Sequence, residues 1–291
     1  MDGIIINLDP TVFQVGPLLI TWHGLFTAVA LFVGIWVATR LAAHANVAEE
    51  AVTTVALWGT VGAIVGARLF HVADHWDFYS QHPLQIPLLN EGGIAIYGAI
   101  VGGLLVGAVV ARRQRLNVAR VADIAAPPFI LGMAIGRIGD VINGEHHGLL
   151  AAGFPLAVTY TNPNTLGQLG MPVHLAVGYE LVMDLVIFGV LLWLARAVVR
   201  QGRRFAWRWQ PRVPRDGIIF WNYLTLYSAG RVVIEFYRED VPFAFGLSES
   251  QLMGGLGAVV GSCALVFLLA HSKARPLGNP GHQSPQTSSR S

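Results

Sequence analysis

Long apolar segments separated by short polar ones dominate the chain. A bilayer core requires about 20 predominantly apolar residues in each spanning helix, and seven segments approach or exceed that length. These predicted spans lie near residues 18–39, 51–73, 94–111, 121–138, 173–195, 217–237 and 250–271. The pattern predicts an all-α membrane protein with seven transmembrane helices, in which residues 1–271 form a single polytopic domain.

The fourth span, 121–138, is the least regular of the seven. It contains Pro127 and Pro128 and ends in charged residues. Proline removes a backbone donor and clashes with the preceding turn, so we expect this helix to be kinked or shortened. Beyond the last span, residues 272–291 are rich in Ser, Pro, Gln and Gly without apolar periodicity, and we expect a disordered cytoplasmic tail.

Basic residues alternate between successive loops and predict an orientation. Lys and Arg collect in short cytoplasmic loops. Of the 19 basic residues, 15 follow the first span, lie between the third and fourth or the fifth and sixth, or belong to the tail. The intervening loops carry mostly acidic residues. We therefore expect the N-terminus outside, the C-terminus in the cytoplasm, and a small extracytoplasmic region between the fourth and fifth spans.

Composition narrows the classes of function. Hydrophobic residues make up 54% of the 291 positions and charged residues 12%, against roughly 25% charged in soluble domains, so an ordinary soluble fold is excluded. A net charge of +2 gives no reason to expect nucleic-acid binding. The single cysteine, Cys263, excludes an internal disulfide. His71 and His75 have no definite third partner, so we expect neither a metal nor another cofactor.

Several charged residues lie within or at the ends of the apolar spans. They are Arg68, Arg137, Glu180, Asp184, Arg231 and Glu235. Each would cost roughly 3 kcal/mol if it faced lipid, so we expect them to face the interior of the bundle. Two interpretations stay open. The charges form internal salt bridges, or the arginines, which suit phosphate through their planar fork, bind an anionic membrane ligand.

The densest polar stretch, residues 136–148, resembles the signature of the prolipoprotein diacylglyceryl transferase family, approximately G-R-x-G/A-N-F-x-N-x-E-x-x-G. The matching positions are Gly136, Arg137, Gly139, Asn143, Glu145 and Gly148. Further family motifs match in the same order over roughly residues 10–270, at Gly16-Pro17, Trp22-His23-Gly24, Gly66-Ala67-Arg68, Glu91-Gly92-Gly93, Tyr97-Gly98, His174, Tyr179-Glu180, Tyr227, Arg231, Glu235, Phe236 and Arg238. This ordered set is highly specific to the family.

The resemblance implies an enzyme of the bacterial cytoplasmic (inner) membrane. Such an enzyme transfers the diacylglyceryl group of phosphatidylglycerol to the thiol of the lipobox cysteine in a prolipoprotein signal peptide. The products are a thioether and glycerol 1-phosphate, and the step is the first of lipoprotein maturation. We expect a monomer with these two partners. The alternatives are a catalytically altered paralogue that binds anionic phospholipid or uses another acceptor, and an anion transporter, although no inverted repeat favours transport.

Site roles follow from the match to the family's motifs. Displacement at a glycerol carbon moves negative charge onto the leaving phosphate, which fixed cations stabilise. Arg137 and Arg231 are assigned to that charge. The predicted phosphatidylglycerol-binding set is Arg137, Asp140, Asn143, Glu145, Gly148 and Arg231. The supporting residues are Arg68, His174, Glu180, Glu235 and Arg238, for which purely structural pairing is the alternative.

Three positions depart from the family pattern. Tyr97-Gly98-Ala99 stands where the family commonly has His-Gly-Gly, and Trp22-His23-Gly24 where it tends to have Trp-Tyr-Gly. We expect His23 to accept the thiol proton or bind phosphate, and Tyr97 to donate a hydrogen bond. Asp140 replaces the signature asparagine. A carboxylate accepts hydrogen bonds and repels phosphate, but at this spacing it also pairs with Arg137.

Overall fold

The computed structural model of the chain describes residues 3–16, 18–88, 93, 95–146, 148–201, 204–209 and 215–271. The predicted tail, 272–291, lies outside the described residues. Eight α-helices occur in the described part: α1 Trp22–His44, α2 Glu49–Asp74, α3 Trp76–Tyr79, α4 Ile96–Arg113, α5 Val118–Asn143, α6 Ala176–Ala195, α7 Ile218–Glu235 and α8 Glu249–Ala270. A single 3₁₀ turn is described at Pro83–Gln85.

Six of these helices, α1, α2, α4, α5, α6 and α8, are long and apolar enough to cross a membrane. They coincide with six of the predicted spans within a few residues, so a multi-pass membrane protein is confirmed. The sixth predicted span, 217–237, is the 18-residue helix α7, which is not among these six. It contains Asn222, Arg231 and Glu235, and these polar residues lower its hydropathy.

Helix α5 is longer than predicted. It continues from Val118 through Pro127 and Pro128 to Asn143, so the expectation of a shortened fourth span is wrong. The loss of a proline's hydrogen bond is offset by packing, because α5 is the most deeply buried of the six candidate spans and contacts α1, α6 and α7. Its last two turns therefore carry Arg137, Asp140 and Asn143 on a rigid helix.

The segments before α1, between α5 and α6, and between α6 and α7 contain short strands, which the sequence pattern did not predict. The described strands are β1 Ile4–Ile6, β2 Thr11–Val15, β3 Leu18–Thr21, β4 Val158–Tyr160, β5 Pro172–Val173, β6 Arg196–Gln201 and β7 Arg204–Trp209. One sheet has the order β1-β4-β5, with β1 parallel and β5 antiparallel to β4. It ties the N-terminal segment to the long connection between α5 and α6. The pairs β2-β3 and β6-β7 are antiparallel hairpins.

A buried aspartate fixes the start of α7 at the end of the bundle that carries the β6-β7 hairpin. Asp123 of α5 accepts hydrogen bonds from the backbone N–H groups of Gly217, at 2.6 Å, and Phe220, at 2.8 Å. Unpaired N–H groups at a helix N-terminus favour such a negatively charged partner. Gly217 itself has φ +100°, a conformation that favours glycine. The register of α7 is thus set by α5.

Glycines bring α2 and α4 into backbone contact. A Cβ atom added to Gly66 would lie 2.3 Å from the carbonyl oxygen of Gly98, and one added to Gly102 would lie 2.3 Å from that of Gly62. Small residues four apart allow such close approach between helices in a membrane. The remaining helices pack mainly in the pairs α1-α5 and α7-α8, with α6 between α5 and α7.

We expect Gly102→Ala to lower stability by about 1–3 kcal/mol, because the new methyl group forces two backbones apart. Gly189→Ala is the matched control, since Gly189 also lies in a helix and has open space around it. It should be neutral or slightly stabilising, as alanine is the better helix former. Thermal unfolding of the detergent-solubilised protein measures both, and equal shifts would contradict the packing argument.

Candidate active site

A single buried carboxylate, Glu180, organises the charged residues where the C-terminal ends of α5 and α7 meet the start of α6. Glu180, on the second turn of α6, has a side chain that is 0% exposed. Arg137 of α5 and Arg231 of α7 both donate to it. Arg238, just after α7, lies 3.2 Å away through its Nη1. Residues separated by up to 101 positions of sequence thus meet at one carboxylate.

The three guanidinium groups are themselves largely buried. Their side chains are 16% exposed at Arg137, 14% at Arg231 and 8% at Arg238. Unpaired charge in such surroundings is costly, and a hydrogen-bonded partner of opposite sign reduces that cost. Glu180 therefore allows the three cations to be held close together, in the interior of the bundle, as the sequence predicted.

A second carboxylate, Glu235, supports the α7 side of the cluster. Its Oε2 lies 3.0 Å from Nη2 of Arg231 and 3.7 Å from Nε of Arg238. Ser248 donates from its hydroxyl to Oε1 of Glu235 at 2.7 Å and also caps the N-terminus of α8. Arg231 donates to Oγ of Ser250 at 3.2 Å. The start of α8 is therefore hydrogen-bonded to the arginine cluster.

On the α5 side, Asp140 connects Arg137 to His23. Oδ2 of Asp140 lies 3.0 Å from Nη1 of Arg137, and Oδ1 lies 2.5 Å from Nδ1 of His23. A Cβ atom on Gly139 would lie 2.7 Å from Cα of His23, so the signature glycine allows the start of α1 to approach α5. Glu145 lies 3.6 Å from His23 through Oε2 and accepts from Asn143 at 2.9 Å.

The segment after α5 turns back over the cluster. Gly144 ends the helix in a left-handed conformation, φ +77°, and Gly148 forms an isolated antiparallel bridge with Arg238. A Cβ atom on Gly148 would lie 1.9 Å from the carbonyl oxygen of His174, so only glycine fits. His146 contacts Nη2 of Arg238 through Nδ1 at 3.2 Å. Gly144 and the signature glycine Gly148 thus shape the backbone around the arginines.

The remaining predicted residues are placed beside the cluster or on other segments. His174 pairs through Nδ1 with the hydroxyl of Tyr179 at 3.0 Å. Tyr97 of α4 lies beside Glu249, close enough to Arg231 for an electrostatic interaction. Arg68 donates to the carbonyl oxygens of Gln85, Ile86 and Gly93. Arg68 belongs to α2, and those contacts tie its guanidinium group to the loop between α2 and α4, where its described role is structural.

Sequence reasoning missed three residues at the start of α8. Ser248, Glu249 and Ser250 contact the cluster or Tyr97. The signal was a capping box, in which Ser248 and Gln251 exchange side-chain to backbone hydrogen bonds, because S-x-x-Q before an apolar run predicts a helix start. Asp184, buried one turn after Glu180, is a charge within a predicted span to which the sequence assigns no role. Its carboxylate accepts no hydrogen bond from the residues that the structure describes.

One group of side chains has the composition of a metal site. His23, Asp140 and Glu145 each offer a ligand atom, and these atoms lie within 4.8 Å of one another. Each of the three side chains also pairs within the protein, so these contacts account for their proximity without an ion. That no metal is needed stays a prediction from the sequence.

Comparison with known proteins shows similarity over most of the chain. The model of one family, Prolipoprotein diacylglyceryl transferase, matches residues 10–267. Three similar curated proteins are each named phosphatidylglycerol–prolipoprotein diacylglyceryl transferase. The protein from Thermosynechococcus vestitus is 35% identical over 90% of this chain and 94% of its own length. That from Geobacillus kaustophilus is 34% identical over 91% and 94%, and that from Dehalococcoides mccartyi is 32% identical over 92% and 96%.

We expect Glu180→Gln to destabilise the protein by about 3–5 kcal/mol, because it leaves three arginines short of a buried negative charge. Glu50→Gln is the control, since Glu50 is an exposed acid at the start of α2, and its effect should stay within about 0.5 kcal/mol. Unfolding in detergent measures both. Similar stability of the two variants would show that Glu180 does not hold the cluster together.

We expect the stability of the protein to decrease as the pH is lowered, in part because of His146. Burial, together with Arg238 and Arg137, holds the pKa of His146 below its ordinary value of 6.5. The unfolded chain then binds more protons at this residue, so its stabilising contribution is present above pH 6.5 and is lost as the pH falls below it. His146→Asn, which tolerates the positive φ of this position, should lose less Tm than the wild type between about pH 7.5 and pH 5.5. Equal losses would contradict this assignment.

Proposed function

Because the chain belongs to the prolipoprotein diacylglyceryl transferase family, we propose that it transfers the diacylglyceryl group of phosphatidylglycerol to a prolipoprotein. The acceptor is the thiol of the lipobox cysteine in the signal peptide. A thioether forms, and glycerol 1-phosphate leaves. The chain is thus a transferase of lipoprotein maturation.

The observation that carries this proposal is the convergence of Arg137 and Arg231 on Glu180. A guanidinium group has five N–H donors, and the described ion pairs of Arg137 use its two terminal nitrogens. Arginine remains protonated in such surroundings and binds phosphate through several donors at once. Two such groups, fixed on neighbouring helices, suit a lipid phosphodiester that has entered from the membrane.

The main requirement of this reaction is that cations stabilise the negative charge of the leaving phosphate. A thiolate attacks the glycerol carbon that bears the phosphate, and the carbon–oxygen bond breaks with its electron pair going to the leaving phosphate. Positive groups that are already in place stabilise this charge without further reorganisation, and they are most effective where water is excluded. Arg137 and Arg231 are both held in place by ion pairs and largely buried from water. Arg238, Glu180 and Glu235 hold them in position.

The other predicted residues surround this centre. Asn143 and Glu145, which hydrogen-bond to each other, position the glycerol headgroup, and Gly148 lets the backbone approach it. His23 accepts the thiol proton, since half of its side chain is exposed at the edge of the site. Tyr97 donates a hydrogen bond from α4. His174 orients the loop beside Tyr179, and Arg68 supports the loop between α2 and α4.

The membrane placement completes the proposal. The sheet β1-β4-β5 and the arginine cluster lie at one end of the bundle, whereas Arg120, Asp216 and the β6-β7 hairpin lie at the other. We place the first end outside the bacterial inner membrane and the second in the cytoplasm, following the distribution of basic loops. Seven crossings, with α7 as the sixth, agree with an outer N-terminus and a cytoplasmic C-terminus. Residues 1–271 act as one domain in a monomer.

We expect the wild-type chain to restore lipoprotein modification in bacterial cells depleted of their own transferase. Arg137→Ala should fail to do so, because it removes a charge that stabilises the leaving phosphate. Arg112→Ala is the matched control, since Arg112 is an exposed arginine at the far end of α4, and it should restore modification fully. Mass spectrometry of the lipidated cysteine provides the measurement.

Other outcomes of this experiment would count against the proposal. Failure of a wild-type chain that is expressed and inserted in the membrane would favour a catalytically altered relative. Restoration by Arg137→Ala would remove this arginine from the chemistry. Equal defects in Arg137→Ala and Arg112→Ala would point to a general effect of losing positive charge.

A further inference from the structure

The contact between His23 and Asp140 assigns a role to Asp140 that differs from lipid binding. Both of its oxygens are already engaged by donors within the protein. Oδ1 lies 2.5 Å from Nδ1 of His23 and Oδ2 lies 3.0 Å from Nη1 of Arg137. The Asp140 side chain is 5% exposed, whereas that of His23 is 47% exposed. The carboxylate therefore faces His23 and Arg137 and leaves little surface for a headgroup.

The contact between His23 and Asp140 is fixed by the close packing of the α1 and α5 backbones. Gly139 removes the Cβ atom that would collide with His23 Cα and with the carbonyl oxygen of Trp22, at 2.7 Å and 2.8 Å. Thr21 caps α1 by accepting from the N–H of Gly24 at 3.2 Å. His23 is thus fixed at the start of α1, directly against the turn of α5 that carries Asp140.

The geometry also selects the form of the imidazole ring. A neutral histidine has one N–H donor and one acceptor nitrogen. Because a carboxylate can only accept, Nδ1 must carry the proton that is donated to Asp140, and Nε2 keeps its lone pair. In an aspartate–histidine pair of this kind the carboxylate orients the ring and stabilises the cation formed when Nε2 takes a proton.

We propose that Asp140 is a positioning residue that acts through His23, an inference that rests on the function proposed above. The lipobox thiol gives its proton to Nε2 of His23, and the resulting thiolate attacks the glycerol carbon. The proton then passes from Nε2 to the oxygen of the leaving glycerol phosphate, so the pair returns to its initial state. Arg137 and the His23 cation together offset the negative charge of Asp140 beside the phosphate.

A double-mutant cycle separates this role from direct lipid binding. In the wild-type background, Asp140→Asn should lower kcat by about 10²-fold, the order of a general-base contribution, with little change in KM. In a His23→Phe background the same substitution should change kcat less than about threefold, because the group that Asp140 acts on is gone. A similar loss in both backgrounds, expressed in KM, would show that Asp140 binds lipid directly and would overturn the proposal.

The pH profile tests whether His23 takes the proton. A cysteine thiol of pKa about 8.5 ionises without help as the pH rises. The rate of His23→Phe should therefore approach that of the wild type between about pH 6.5 and pH 9. The groups facing His23 from the elements packed against it are Asp140 and Arg137 of α5 and Glu145 after it. All three are retained in this variant, and a rate ratio independent of pH would overturn the proton-transfer role.

A measurement independent of transferase activity tests the pair itself. With ¹⁵N-labelled histidine, Nδ1–H of His23 should give a downfield proton resonance that is absent in His23→Phe and Asp140→Asn. Asp216→Asn is the matched control, because Asp216 also pairs with an arginine, Arg120, but at the opposite end of the bundle. It should keep the resonance and the kinetic coupling. If the resonance is absent from the wild type, His23 does not donate a hydrogen bond to Asp140 and the proposal is wrong. If it is present while the wild type lacks transferase activity, the proposed function fails and His23 and Asp140 form a structural contact only.

Discussion

The structure depends on how three arginines are accommodated inside an apolar bundle. A guanidinium group facing lipid would oppose insertion of its helix, and three together would repel one another. Glu180 resolves this by lying completely buried between them. Because its partners come from α5, α7 and the segment after α7, the same carboxylate holds these elements together. The charges that stabilise the bundle are therefore the same ones to which the proposed chemistry is assigned.

This arrangement limits how the site can change. Glu180 lowers the free-energy cost of burying the arginines, but it also competes with any phosphate for their N–H donors. A functional site then needs donors that remain available when the internal ion pairs are formed, which suits arginine better than lysine. Glu235 and Ser248 hold Arg231 from the other side, so its orientation is determined before a lipid arrives. Such preorganisation is what electrostatic stabilisation of a leaving group requires.

The sequence predicted the helices well because hydropathy is a local property. Each apolar run became a helix. Helix α5 continues through Pro127 and Pro128, against expectation, since packing against α1, α6 and α7 offsets the effect of the two prolines. The site was predictable only in its parts. Motif spacing identified Arg137, Glu145 and Arg231, but nothing local brings His23 to Asp140, 117 residues away. That contact depends on how α1 crosses α5 at Gly139. Arg68 shows the reverse case, because this charged residue lies within a span but donates to loop carbonyls and, among the residues that the structure describes, does not join the arginine cluster.

The cap that Asp123 forms on α7 also determines how far along the bundle Arg231 lies. A helix rises 1.5 Å per residue, so Arg231 lies about 21 Å along the axis from Gly217. Gly217 is hydrogen-bonded to α5 at the opposite end of the bundle. The number of residues in α7 therefore fixes the distance between that point and Arg231. An insertion or deletion within α7 would therefore displace Arg231 relative to Arg137, even if every residue of the cluster were retained. The length of this helix is therefore part of the geometry of the proposed phosphate site, which needs Arg137 and Arg231 together.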